Sequence, residues 1–175
     1  MRRPGIASAM ISFQFPEYHV TGSTLSEECR SWGFDPQVIL ESIRMEDKGD
    51  KDPLTLSRGE LKRLHLACVL QKQYDLLILD EPFSSLDCGE KQRACAAISR
   101  QCHGITILFT HEQSVFPAVD RIWEIRDGAL HDNGPLPDAL SRWTGIPPLV
   151  QRLVREGKIP KNITPDDLLE AACRT

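Results

Sequence analysis

Asp75-Leu76-Leu77-Ile78-Leu79-Asp80-Glu81-Pro82 is the stretch that decides how this chain folds. It is a continuous apolar run closed by an acid, the pattern of a strand covered on both faces in a parallel sheet. A polar turn, Glu81-Pro82-Phe83-Ser84-Ser85-Leu86-Asp87, leads to a helix expected from about Gly89 to Gln101. Ile105-Thr106-Ile107-Leu108-Phe109-Thr110 then reads as a second buried, β-branched strand ending at His111. Strand, helix and strand in this order are the signature of an open α/β sheet, whose ligands sit beyond the carboxyl ends of the strands. Asp80 and His111 both lie there.

Upstream, Leu61, Leu64, Ala67 and Leu70 recur at helical spacing, so 57–73 is expected to be one helix with a buried stripe. A charged loop, Glu46 to Pro53, precedes it. Two shorter helices come earlier, one capped by Ser23 or Thr24 and running toward Trp32, one from Gln37 to Arg44. Downstream, Arg121 to Arg126, Asp127-Gly128 and Ala129 to His131 read as a hairpin, because Asp-Gly supplies the positive φ angles of a tight turn. After Gly134 the chain becomes rich in proline and leucine. Thr164-Pro165-Asp166-Asp167 opens a helix running to about Cys173, with a capping hydroxyl, a first-turn proline and two acids favoured by the helix dipole. The expected organisation is a core over 1–134, with a helical part at about 23–73, and a small helical extension over 135–175.

Composition narrows the function. The 175 residues carry a net charge of −4 with signs interspersed, so no basic field advertises nucleic acid or anionic lipid. No window approaches the apolar length of a membrane span, and the N-terminal stretch lacks a signal-peptide pattern, which predicts a cytosolic chain. Six cysteines are scattered without a CxxC pair and read as small buried hydrophobes. Cys102, His103 and His111 lack the spacing of a metal-ligand motif and are not taken as a site.

Two places carry chemistry. Leu56-Ser57-Arg58-Gly59-Glu60 heads the long helix and reads either as a capping box or as a phosphate site, in which free amides, a hydroxyl and a close-approach glycine favour an oxyanion. Asp80 and Glu81 put two adjacent carboxylates at the mouth of a strand, where one can hold Mg²⁺ through water and the other can polarise an attacking water.

In order and spacing these motifs resemble the ATP-binding cassette (ABC) ATPases. Leu56 to Glu60 is similar to the family's signature motif, Leu76 to Asp80 to its Walker B strand, Glu81 to its catalytic glutamate, Ser84 to Asp87 to its D-loop and His111 to its switch histidine. Phe13-Gln14-Phe15-Pro16-Glu17 resembles the Q-loop. The stretch after Pro16-Glu17, with Ser23-Thr24-Leu25 and the acids Glu27 and Glu28, resembles the energy-coupling-factor ATPases of cobalt and vitamin importers, and so does the tail from Gly145.

The resemblance implies a P-loop NTPase-like α/β fold with a parallel sheet, a helical signature subdomain and a small helical C-terminal extension. It implies ATP and Mg²⁺ as cofactors, with Asp80 and Gln14 at the metal. Glu81 would act as general base, with Gln14 sensing nucleotide and His111 at the γ-phosphate. Ser57 and Gly59 would grip ATP held by the opposite subunit, and Asp87 would pack across the dimer seam. The implied partners are a second ABC ATPase subunit, identical or different, and transmembrane transporter subunits, on the inner face of the cell membrane and without nucleic acid.

The pattern is departed from in one respect above all. The phosphate-cradling loop G-x-x-x-x-G-K-[ST] does not occur, since the only Gly-Lys dipeptide is Gly157-Lys158 followed by Ile159. The expectation is therefore an N-terminally incomplete cassette that does not hydrolyse ATP alone. The alternative is a non-hydrolysing partial cassette offering its signature in trans to a complete partner. Arg58 and Glu60 also replace a glycine and a glutamine of the signature.

Overall fold

Three strands, β1 (Ala9–Ser12), β2 (Leu76–Asp80) and β3 (Ile105–Phe109), lie parallel in that order, with Ile78 opposite Ile11 on one side and Ile107 on the other. The computed structural model describes residues 5–101 and 104–174 and divides into two units, Met1–His111 and Glu112–Thr175. Cys102 and His103 lie outside the described residues, and among those described no group of three or more His, Cys, Asp or Glu is placed to hold a metal ion.

In the first unit the sheet is joined to α1 (Leu25–Ser31), α2 (Pro36–Ser42), α3 (Arg58–Leu70) and α4 (Cys88–Ile98). Each begins where a short polar side chain satisfies an otherwise orphaned amide: Thr24, Asp35, Ser57 and Asp87 are the respective caps. Leu25, Cys29, Ile39, Leu40, Leu61, Leu64 and Cys68 pack into one core, so α1 and α2 have a buried face only because α3 supplies its other side. Glu28 is buried in α1 without an ion pair to balance it. Its carboxylate accepts hydrogen bonds from the Thr21 and Gly22 amides at 2.8 and 2.7 Å and from Trp32 Nε1 at 2.7 Å. Those donors satisfy its charge and fasten the segment before α1 onto the helix.

The second unit has a hairpin, β4 (Arg121–Arg126) and β5 (Ala129–Pro135), turning through Asp127 and Gly128, whose φ angles are 51° and 73°. Both values are positive, as the tight turn requires. Two helices follow, α5 (Pro148–Arg155) and α6 (Pro165–Cys173), over a core of Phe116, Ile122, Ala139, Leu140, Val150 and Ile163. Asn162 ties this unit together, accepting from the Val119 amide at 3.2 Å and donating to the Val119 carbonyl at 2.8 Å.

The two units meet in sequence between 111 and 112, and β5 runs on to Pro135. Several expectations need correction. The fold is α/β with a parallel sheet, but β3 is not covered on both faces: it pairs on one side only, and Ile105 and Phe109 are 58% and 45% exposed. The buried stripe of α3 is wider than its leucines, taking in Lys62, His65, Leu66 and Val69. Residues 9–12, for which no strand was expected, extend the sheet because parallel pairing with β2 satisfies their backbone.

Candidate functional site

Asp80 ends β2 and faces an open cleft of about 390 Å³ lined also by Phe13, Gln14, Phe15 and Tyr18. Gln14 comes to this place because β1 ends at Ser12, in register beside Leu79. Parallel pairing thus delivers the residue after one strand to the acid that ends its neighbour.

Glu81 follows in a left-handed backbone conformation with φ 46°, uncommon for a residue with a side chain. Its amide still donates to the Phe109 carbonyl at 2.9 Å, extending the sheet by one bond. Its carbonyl accepts from Ser84 Oγ at 2.9 Å. Its carboxylate turns to His111: Oε1 accepts from the His111 amide at 3.0 Å and lies 2.7 Å from Nδ1. Because a carboxylate only accepts, Nδ1 carries the hydrogen of this pair. The Glu81 side chain is 16% exposed and that of His111 86%, so the acid is sheltered and the imidazole faces water.

Lys62 sits beneath these groups and was missed in the sequence. It is 2% exposed, and its Nζ donates to the Gln14 carbonyl at 2.6 Å and more weakly to the Glu81 carbonyl at 3.4 Å. Burial pushes its ammonium down to about 8, although Asp80, Glu17 and Glu81 pull the other way. One turn along α3, His65 is buried with Nε2 2.9 Å from Ser12 Oγ, and its imidazole is pushed down to about 3, chiefly by burial and then by His19 and Lys62. His19 stacks on His65 at 4.5 Å and Phe13 on His19 at 5.1 Å, so the segment after β1 is held to α3 by rings. The available signal was the spacing of Lys62, His65, Leu66 and Val69, a helical face on which two polar residues keep apolar company.

Ser57 and Gly59 lie at the start of α3, and Asp87 at the start of α4. Ser57 caps α3 as expected of a capping box: Oγ accepts from the Glu60 amide at 3.3 Å, and Glu60 Oε2 accepts from the Ser57 amide at 3.0 Å and the Ser57 hydroxyl at 2.8 Å. Lys48 pairs with Glu60, and that contact and the Ser57 donors hold its carboxyl down to about 2. Gly59 lies against the polar turn, where a Cβ would stand 2.6 Å from the Ser85 carbonyl oxygen. Asp87 caps α4 through the Glu90 amide at 2.7 Å, and Glu90 pairs with Arg63 of α3 at 3.1 Å. The structure thus brings Asp80 together with Gln14, and Glu81 with His111, and sets Gly59 against Ser85 of the 84–87 turn, while Ser57 and Asp87 each cap their own helix.

The donor chemistry at Asp80 fits Mg²⁺. That ion takes one or two protein oxygens and fills its remaining positions with water and phosphate, so a lone carboxylate in an open cleft beside an amide side chain suffices.

Residues 7–84 match the family described as ABC transporter. An aliphatic sulfonates import ATP-binding protein of Nocardia farcinica is 35% identical over 101 residues, covering 55% of this chain and 41% of its own length. An ABC transporter ATP-binding protein of Methanosarcina acetivorans is 30% identical over 190 residues, covering 92% of this chain and 31% of its own length. A solved ATP-binding subunit of an ABC transporter superposes with a TM-score of 0.60 at 19% identity, over 94% of this chain and 68% of that one. The fold is that of an ABC ATP-binding subunit. The chain spans well under half the length of the curated relatives it matches, down to 18% for macrolide export ATP-binding/permease proteins of Escherichia coli. No helix among the described residues is long and apolar enough to cross a membrane.

Proposed function

We propose that this chain supplies the part of a transport ATPase site that runs from the Q-loop to the switch histidine. Asp80, with Gln14, holds Mg²⁺, which when bound neutralises phosphate charge. Glu81 takes a proton from the attacking water. His111, oriented through Nδ1 by Glu81, presents its other ring nitrogen toward the γ-phosphate. Ser57 and Gly59 meet the γ-phosphate of ATP held by a facing subunit, and Asp87 packs across the same seam. Phosphoryl transfer asks mainly for positioning and charge stabilisation, and these groups provide both. The single observation that carries the reading is the sheltered Glu81 carboxylate paired with His111 at the carboxyl end of β2, next to Asp80.

The assembly we propose is a dimer with a second cassette, docked on transmembrane subunits at the inner face of the membrane, in an importer of the energy-coupling-factor type. The resemblance of the Pro16-Glu17 and Ser23-Thr24-Leu25 stretches and of the helical tail from Gly145 supports that subtype. These 175 residues contain no G-x-x-x-x-G-K-[ST] loop, and by themselves they do not turn over ATP. Glu81→Gln in the assembled ATPase tests the reading. Turnover is expected to fall by ~100-fold or more with ATP binding retained. Unchanged turnover overturns it in favour of the second reading, a non-hydrolysing cassette that offers Ser57 and Gly59 to a complete partner.

A further inference from the structure

Lys62 has no part in the chemistry just described, yet it is the most deeply buried charge near the site. Removing an ammonium from water is costly unless its hydrogens find acceptors. Here the hydrogen bonds go to main-chain carbonyls, those of Gln14 and Glu81, which lie 48 and 19 residues away in sequence. Each carbonyl belongs to a residue whose side chain has a proposed role in the site. Lys62 is also on α3 little more than one turn after Ser57 and Gly59. One side chain therefore joins three backbone segments: the one after β1, the turn after β2 and the helix whose N-terminus would face the partner's nucleotide. Neither carbonyl has a strong competing claim from helix or sheet. Gln14 follows the end of β1, and among the described residues the Glu81 carbonyl is otherwise bonded within its own turn, by the Ser84 amide at 3.3 Å and its hydroxyl at 2.9 Å.

We propose that Lys62 is a positioning residue for the ATPase reaction, holding the Gln14 and Glu81 backbones in register with the signature end of α3. This rests on the reading of Glu81 and Gln14 above. Truncating the ammonium removes the one side chain that, among the described residues, bonds both loops to α3, leaving the ring stack on His65 to hold the first and the Gly59–Ser85 contact to hold the second. A methylene stem without the charge fills the same space and leaves the carbonyls without this donor. An arginine keeps the donors and the charge.

The test compares Lys62→Met, Lys62→Arg and Glu81→Gln in the assembled ATPase. Lys62→Met is expected to lower kcat by ~tenfold or more while KM for ATP changes less than ~threefold, and Lys62→Arg to restore most of kcat. Unchanged kcat in Lys62→Met, beside a dead Glu81→Gln, overturns the positioning role and leaves the proposed function standing. An active Glu81→Gln removes the function reading itself. Amide hydrogen exchange on the 175-residue chain gives a second measurement that needs no turnover. If Lys62→Met does not fold, Lys62→Gln replaces it. Exchange should quicken in residues 13–18 and 81–84 relative to α1 and α2. Uniform quickening everywhere means general destabilisation and overturns the proposal, as does no change.

Discussion

At Gly59 two physical effects oppose each other in a single residue. Alanine is the better helix former by about 1 kcal/mol, and α3 begins at Arg58, so propensity alone favours Gly59→Ala. The turn after β2 reverses that, because the new Cβ would meet the Ser85 carbonyl oxygen at 2.6 Å, a backbone atom that cannot rotate away. Overpacking of this kind costs about 1–3 kcal/mol, so Gly59→Ala is expected to destabilise the chain by a net of up to ~2 kcal/mol, read as a fall in the urea midpoint. A rise would show that the turn does not bear on α3. Ser85, with φ 65°, and Glu81, with φ 46°, bracket the same turn, which is where left-handed backbone concentrates in the first unit. The sequence displays a glycine in a signature-like stretch. It does not display which neighbour makes glycine necessary, because Ser85 is remote along the chain and adjacent only after folding.

At the scale of an element, α3 shows how far a helix can be read in advance. Its start, its cap and its leucine face follow from Ser57, Glu60, Leu61 and Leu64, since capping and 3.6-residue periodicity are local. Its polar interior residues are decided by what packs on them. His65 is buried between Ser12, His19 and Trp32, and its imidazole is held down to about 3 against an ordinary value near 6.5. The unfolded chain therefore takes up a proton as pH falls through 6.5 while the folded chain does not. The stability associated with neutral His65 is complete above pH 6.5 and is lost progressively below it, on the order of 1 kcal/mol per pH unit. His19, also lowered by burial, adds in the same direction. Urea unfolding at pH 7, 6 and 5 is expected to show this slope, and His65→Gln to flatten it. Glu60, held down to about 2, contributes its own loss only below about pH 4.5, outside that window. A slope unchanged in His65→Gln would place the titrating group elsewhere.

At the scale of the whole molecule, buried side chains gather around Leu25, Ile39 and Leu64 in the first unit and around Ile122, Leu140 and Val150 in the second. Asn162→Ala removes both hydrogen bonds to Val119 and leaves a half-buried amide and carbonyl short of these partners, at a cost of about 1 kcal/mol. Amide exchange should quicken across β4, β5, α5 and α6 and stay unchanged in α1 to α3. Leu64→Ala, costing about 2–5 kcal/mol, should do the reverse. Equal quickening in both units for either variant would mean one cooperative core. The sequence by itself determined the strand–helix–strand order, the helix caps, the Asp-Gly hairpin and the order of the ABC-like motifs, because each depends on residues near one another along the chain. Only the tertiary structure decided that Gln14 stands beside Asp80, that Glu81 pairs with His111, that β3 is an edge and that Lys62 lies buried under two loops. Those facts depend on which strands pair and which faces pack, and contacts across 30 or 48 residues have no local signature.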